Sequence, residues 1–176
     1  MMEINKKRTK MFKKTLVTLF CSGIATSAMA IEAPINGMVE SKCSIYTDTR
    51  GVYGQPTPDV LSTLPANNGV MPKIRYDVAL ANTYLAKVTY PNAFSSSPNL
   101  SDAVAWSGDV VVAEVTVPAM SGYETGKIAY DNTVEFDLTE AGTVWFEVSS
   151  QVAYGYNKPF PGGNYTAIVT AECIAR

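Results

Sequence analysis

An all-β, antiparallel sandwich is the fold this 176-residue sequence predicts, and three observations predict it. Apolar and polar residues alternate with a period of two through most of the chain after Ile31. Pro and Gly gather in the connections between the alternating runs, where turns need them. No stretch keeps a helical apolar period over a usual helix length. Seven or eight short strands separated by such turns fit the immunoglobulin-like kind of sandwich, in which two sheets each bury one face.

The first element is not part of that fold. Lys6, Lys7, Arg8, Lys10, Lys13 and Lys14 precede an apolar run over residues 16–28, which closes on Ala28-Met29-Ala30. A basic start, a short apolar run and a small-x-small end read as a secretory signal peptide, residues 1–30. The run is too short for a bilayer span and no later run reaches about 18 apolar residues, so no membrane span is expected. Cys21 follows the bulky Phe20, which does not suit a lipoprotein signal. The expected organisation is a signal peptide, an N-terminal strand over 31–47 and a sandwich domain over 48–176.

Charge and composition narrow the function. Six of the 14 basic and one of the 16 acidic side chains precede Ile31, leaving eight and fifteen and a net charge of −7. An acidic chain without basic runs is a poor match for nucleic acid. Histidine is absent, which removes Ser-His-Asp and Cys-His nucleophiles, His-ligated zinc and imidazole bases. Asp131, Glu135 and Asp137 are carboxylates on one stretch, but strand alternation makes them a solvated face. No enzyme, cofactor or metal site is expected.

The alternating runs follow in order. Ile31, Ala33, Ile35, Gly37, Val39, Ser41, Cys43 and Ile45 share one parity, with Glu32, Asn36, Glu40 and Lys42 on the other. After the turn-rich residues 51–72, Ile74, Tyr76, Val78 and Leu80 are expected inward and Lys73, Arg75 and Asp77 outward. A strand over 83–90 ends at Pro91. Val111, Ala113, Val115 and Val117 form the next inward set. Val134, Phe136 and Leu138, then Val144, Phe146, Val148 and Val152, flank Glu140-Ala141-Gly142, which predicts a hairpin. At the C-terminus Tyr165, Ala167, Val169, Ala171 and Cys173 share a face. Cys43 and Cys173 thus both lie on core-facing registers in an exported chain, and one disulfide between the first and last strands is expected.

Ile35-Asn36-Gly37-Met38-Val39-Glu40-Ser41-Lys42-Cys43 resembles the start of chaperone–usher pilins, which open with an apolar residue, a spacer, Gly, a spacer, Val and then a Cys. Gly162-Gly163-Asn164-Tyr165 resembles the Gly-x-Tyr approach to a pilin's last strand. Cys173 stands far later than the family's usual partner cysteine, and Ile174-Ala175-Arg176 lacks its near-terminal tyrosine, so the resemblance is to a divergent branch. It implies a sandwich lacking one strand, completed by the N-terminal segment of the next subunit. Ile31, Ala33, Ile35 and Val39 would then enter successive pockets, with Gly37 where there is no room for a side chain. It also implies a structural subunit of an adhesive surface fimbrium, a homopolymer whose other partners are a periplasmic chaperone and an outer-membrane usher. The route would run through the periplasm to the cell surface.

The alternative is a self-contained secreted or periplasmic module for a glycan or protein ligand. Its candidate contacts are Tyr154, Tyr156 and Phe160, in a Pro/Gly-rich loop where aromatic rings either stack on a ligand or cover the edge of the core. Trp145 has the parity opposite to Val144 and Phe146 and is assigned to the second face or to a subunit contact.

Overall fold

Residues 42–176 are described in the computed structural model. The expected signal peptide and the donor-strand residues Ile31, Ala33, Ile35, Gly37 and Val39 lie outside them. The described chain is an antiparallel β-sandwich of two sheets.

The first sheet is organised by its longest strand, β9 (Gly142–Tyr154). Along one edge β9 pairs with β6 (Val104–Val115) over almost its full length. Its other edge is shared: β4 (Lys73–Val78) takes the first half and β3 (Val60–Ser62) the second. β1 (Cys43–Thr49) pairs outside β4, and β2 (Gly54–Thr57) outside β3. The second sheet runs β10 (Thr170–Ala175), β5 (Tyr84–Thr89), β8 (Thr133–Leu138), β7 (Ile128–Tyr130). One helical turn, α1 (Tyr123–Gly126), lies between β6 and β7.

Strand alternation becomes burial where both faces of the sandwich close. Ile74, Tyr76 and Val78 on β4 are buried, as are Val134, Phe136 and Leu138 on β8 and Val144, Phe146 and Val148 on β9. Phe136 and Phe146 meet across the sheets with ring centroids 4.2 Å apart, and Tyr76 meets Phe146 edge-on at 5.4 Å.

Three expectations are corrected. Glu140-Ala141-Gly142 does not turn a hairpin, because β8 and β9 lie in different sheets. The chain arches across the core there, so the two apolar faces oppose each other rather than lie side by side. On β6 a bulge between Val112 and Glu114 shifts the register, so Val110 and Val112 face the core before it and Val115 after it. The unbroken parity expected from Val111 and Ala113 through Val117 therefore holds only for its last members. Leu80 is 38% exposed, because β4 ends at Val78 and the chain turns away.

Candidate functional site: a groove between the first and last strands

β1 and β10 each close one edge of a sheet, and a disulfide joins them. Cys43 and Cys173 are bonded with their Cα atoms 6.4 Å apart. Both cysteines lie on the inward faces of their strands. The bridge closes the seam between the sheets at that end. Close by, the buried Tyr76 hydroxyl donates across the sandwich to the Glu172 carbonyl at 3.1 Å, which further pins β10.

Away from the disulfide the seam opens. A groove of about 850 Å³ runs between residues 47–53 on one wall and residues 163–169 on the other. Leu61, Ile74 and Pro72 supply apolar surface, and Tyr53, Thr63 and Ser150 a polar spot. The Tyr53 hydroxyl and Ser150 Oγ share a hydrogen bond of 2.9 Å. Burial raises the Tyr53 hydroxyl above its ordinary value against the opposing effect of that bond, so it is a neutral donor and acceptor.

Two features distinguish the surroundings of this groove. The first is that the buried side chains form two clusters. One lies between the sheets; the other gathers Leu61, Val152, Tyr154 and Phe160 under the loops at the far end. Groove residues come from both: Ile74 and Val169 from the first, Leu61, Tyr53 and Tyr165 from the second. The second feature is the state of the walls. Inward residues of β4, β5, β8 and β9 are nearly inaccessible, whereas Cys43 and Ile45 of β1 and Val169, Ala171 and Cys173 at β10 are only partly buried. Among the described residues, residues 167–169, between the Thr166–Ser96 bridge and the start of β10, pair with no strand. Residues 167–169 thus line the groove without a ladder partner, above a floor in which Leu61, Ile74, Thr63 and Ser150 are nearly inaccessible.

The other sequence candidates sit elsewhere. Tyr154 and Phe160 stack on each other at 5.1 Å inside the second cluster, around a Phe94 that also touches Trp106 and Tyr165. Tyr156 alone points out, at 99% exposure, on a turn held by the Lys158–Asp102 ion pair of 2.7 Å. Trp145 lies half-buried on the outer face of the first sheet and donates its Nε1–H to Asp48. Beside it the Arg75 guanidinium lies 4.5 Å from the Tyr46 ring centroid and pairs with Asp48 and Asp77. Glu135 accepts from the Tyr130 hydroxyl at 2.6 Å and Asp137 pairs with Arg176 at 2.9 Å, so these carboxylates are engaged on a surface. Among the described residues no group of three or more Cys, Asp or Glu side chains is placed to hold a metal ion, and no helix is long and apolar enough to cross a membrane.

Sequence reasoning located neither Arg50, Tyr53 and Leu61, which lie in or next to turn-rich segments with little periodicity, nor Ser150, which shares the inward parity of β9 but is polar. Comparisons of the chain with protein-family models, with curated proteins and with solved structures find no match.

Proposed function

We propose that this chain is an exported structural subunit of an adhesive surface fimbrium, polymerised when the leading segment of one copy fills the groove of the next. The observation that carries this reading is the open groove between the two core clusters, flanked by the unpaired residues 167–169. Its occupant is residues 31–39 of a second copy. Ile31, Ala33, Ile35 and Val39 alternate at the spacing an added strand presents to a groove floor, and main-chain bonds to residues 167–169 would supply the affinity. Each groove wall of seven residues spans about 23 Å, the reach of an added strand of the same length. The signal peptide and the oxidised cysteine pair fit passage through a periplasm, with a chaperone covering the groove and an usher ordering the subunits.

Size-exclusion chromatography and electron microscopy of the purified chain beginning at Ile31 test this. Polymers are expected, and deletion of residues 31–39 should leave monomers. Ala167→Trp, which fills the groove from its wall, should block assembly in a chain that keeps residues 31–39. Polymers that persist after both changes would reject strand donation.

A further inference from the structure

The outer face of the first sheet carries a hollow separate from the groove. Its side chains stand in cross-strand rows, because β1, β4 and β9 pair residue against residue. Ser44, Asp77 and Thr143 form one row, and Tyr46, Arg75 and Trp145 the next. Lys42, one residue before β1, has the same parity as Ser44 and Tyr46. The short Ser44 thus stands between two long side chains, and Gly142 and Thr143 add little height on β9. What remains between them is a cavity of about 370 Å³, lined by these five residues and Asp77. That volume lies within the range of small-molecule sites, about 300–1,000 Å³.

The cavity offers a ring, a cation and hydroxyls. Tyr46 is 48% exposed, yet its position is fixed. The Arg75 guanidinium lies over the ring and is itself tied to Asp48 and Asp77, while Trp145 donates to the same Asp48. Arg75 does not line the cavity, so Tyr46 meets it with the side of the ring away from the guanidinium. A ring held in advance and open on one side loses little conformational freedom when a ligand stacks on it. Asp77 is engaged by Arg75 at 3.4 Å and by the Thr143 hydroxyl at 2.9 Å. Among the described residues the Lys42 ammonium has no carboxylate partner, and the Ser44 and Tyr46 hydroxyls have no hydrogen-bond partner. Lys42 is therefore the one charge of the cavity left without compensation. Its Cα lies about 13 Å along the strand from that of Tyr46, and both side chains are long enough to meet one sugar ring over Ser44.

We propose that this cavity binds a glycan residue that carries a carboxylate: a pyranose ring stacks on Tyr46, its carboxylate pairs with Lys42, and its hydroxyls bond to Ser44 and Asp77. A neutral sugar leaves the Lys42 charge unanswered, and a bare anion makes no use of the Tyr46 ring; an acidic sugar meets both. The inference gives a ligand class to the adhesive role and rests on the reading above for that role alone. Tyr46 and Thr47, neighbours of opposite parity, belong to the cavity and to the groove respectively, so glycan binding and strand donation can be separated.

Elution of the purified chain from Ile31 to Arg176 through agarose columns carrying glucuronic acid, sialyllactose, glucose, lactose or carboxymethyl groups tests this. With a net charge of −7 the chain is repelled by an acidic matrix in general, so retardation there requires a local site. Retardation is expected on the glucuronic acid or the sialyllactose column, which tells a uronic from a sialic acid, and about fivefold less on the other three. Tyr46→Ala should lower it about tenfold. Lys42→Ala should bring the acidic sugar down to its neutral counterpart. Both variants replace exposed side chains and should unfold near the parent's Tm, which separates loss of the site from misfolding. Equal passage through all five columns, equal retardation on the carboxymethyl or neutral-sugar columns, or retention that survives Tyr46→Ala would overturn the proposal. A chain that stays monomeric rejects strand donation yet still shows the retardation, whereas polymers without retardation reject the cavity alone.

Discussion

At the scale of single residues, Tyr76 shows how one side chain serves both packing and polarity. Its ring is fully buried against Phe146, while its hydroxyl reaches carbonyls of β10 and β5 on the opposite sheet. Burial, reinforced by the nearby Glu172 charge, holds the hydroxyl far above its ordinary value of 10.0. The unfolded chain therefore loses this proton before the folded one, so Tyr76 contributes stability that is complete below pH 10 and declines as pH rises beyond it. Tyr76→Phe should cost about 1 kcal/mol at neutral pH and flatten the loss of stability above pH 10, as read by urea unfolding at several pH values. An unchanged alkaline slope would show that other groups set it. Gly69 is the opposite case, a residue defined by what it lacks. It follows Asn68 at φ 59°, and a Cβ built on it would stand 2.3 Å from the Ser62 carbonyl oxygen. Gly69→Ala should destabilise by about 2 kcal/mol, since backbone rather than a movable side chain blocks the space.

At the scale of elements, the alternating pattern was a sound guide to which side chains face inward and a poor guide to which strands pair. Parity alone identifies Tyr76, Phe136 and Phe146 as core, because a strand buried on one face can satisfy its apolar residues in only one register. The same parity is silent on whether β8 and β9 fold side by side or face to face, since both arrangements bury the same residues. The bulge in β6 was illegible for a related reason: Val110, Val111, Val112 and Ala113 are all apolar, so nothing in the run marks where the register slips. β6 also presents an outer edge, which its own Asp109 and the residues after it guard. Val110 N–H donates to Asp109, Val112 N–H to Glu124, and the Lys127 ammonium to the Val110 carbonyl at 2.9 Å. Burial works against the charged Lys127, yet hydrogen bonds with Glu124 and Asp109 outweigh it and raise its pKa. The clamp is thus intact through neutral pH, and its contribution fades only as pH rises past the ordinary lysine value of 10.5. Lys127→Met should lower stability by about 1 kcal/mol and increase edge-to-edge aggregation, visible as light scattering at concentrations where the parent chain is clear. Scattering equal to the parent would mean that the edge is protected by other means.

At the scale of the whole molecule, the groove and the disulfide are two ends of one seam, and the sequence made only the second visible. A cysteine on an inward register announces itself; a volume that no residue fills leaves no mark on the pattern. Residues 31–39 could be read as a strand but not assigned a place. The disulfide's energetic role follows from its span. Cys43 and Cys173 are 130 residues apart, so the bond closes nearly the whole folded chain. On the chain-entropy account a loop of that size is worth about 4–5 kcal/mol. That stabilisation is needed most at β1 and β10, whose inward side chains are only partly buried and whose neighbouring groove gives them no packing on one side. Replacing both cysteines by serine should therefore lower Tm by roughly 10–20 °C. It should also act unevenly. Hydrogen exchange is expected to accelerate first in β1 and β10, while β4, β8 and β9, with nearly inaccessible inward faces, keep their protection until global unfolding. Exchange that accelerates equally in all strands would mean that the two edge strands are held by the body of the sandwich, and that the seam is not its weak line.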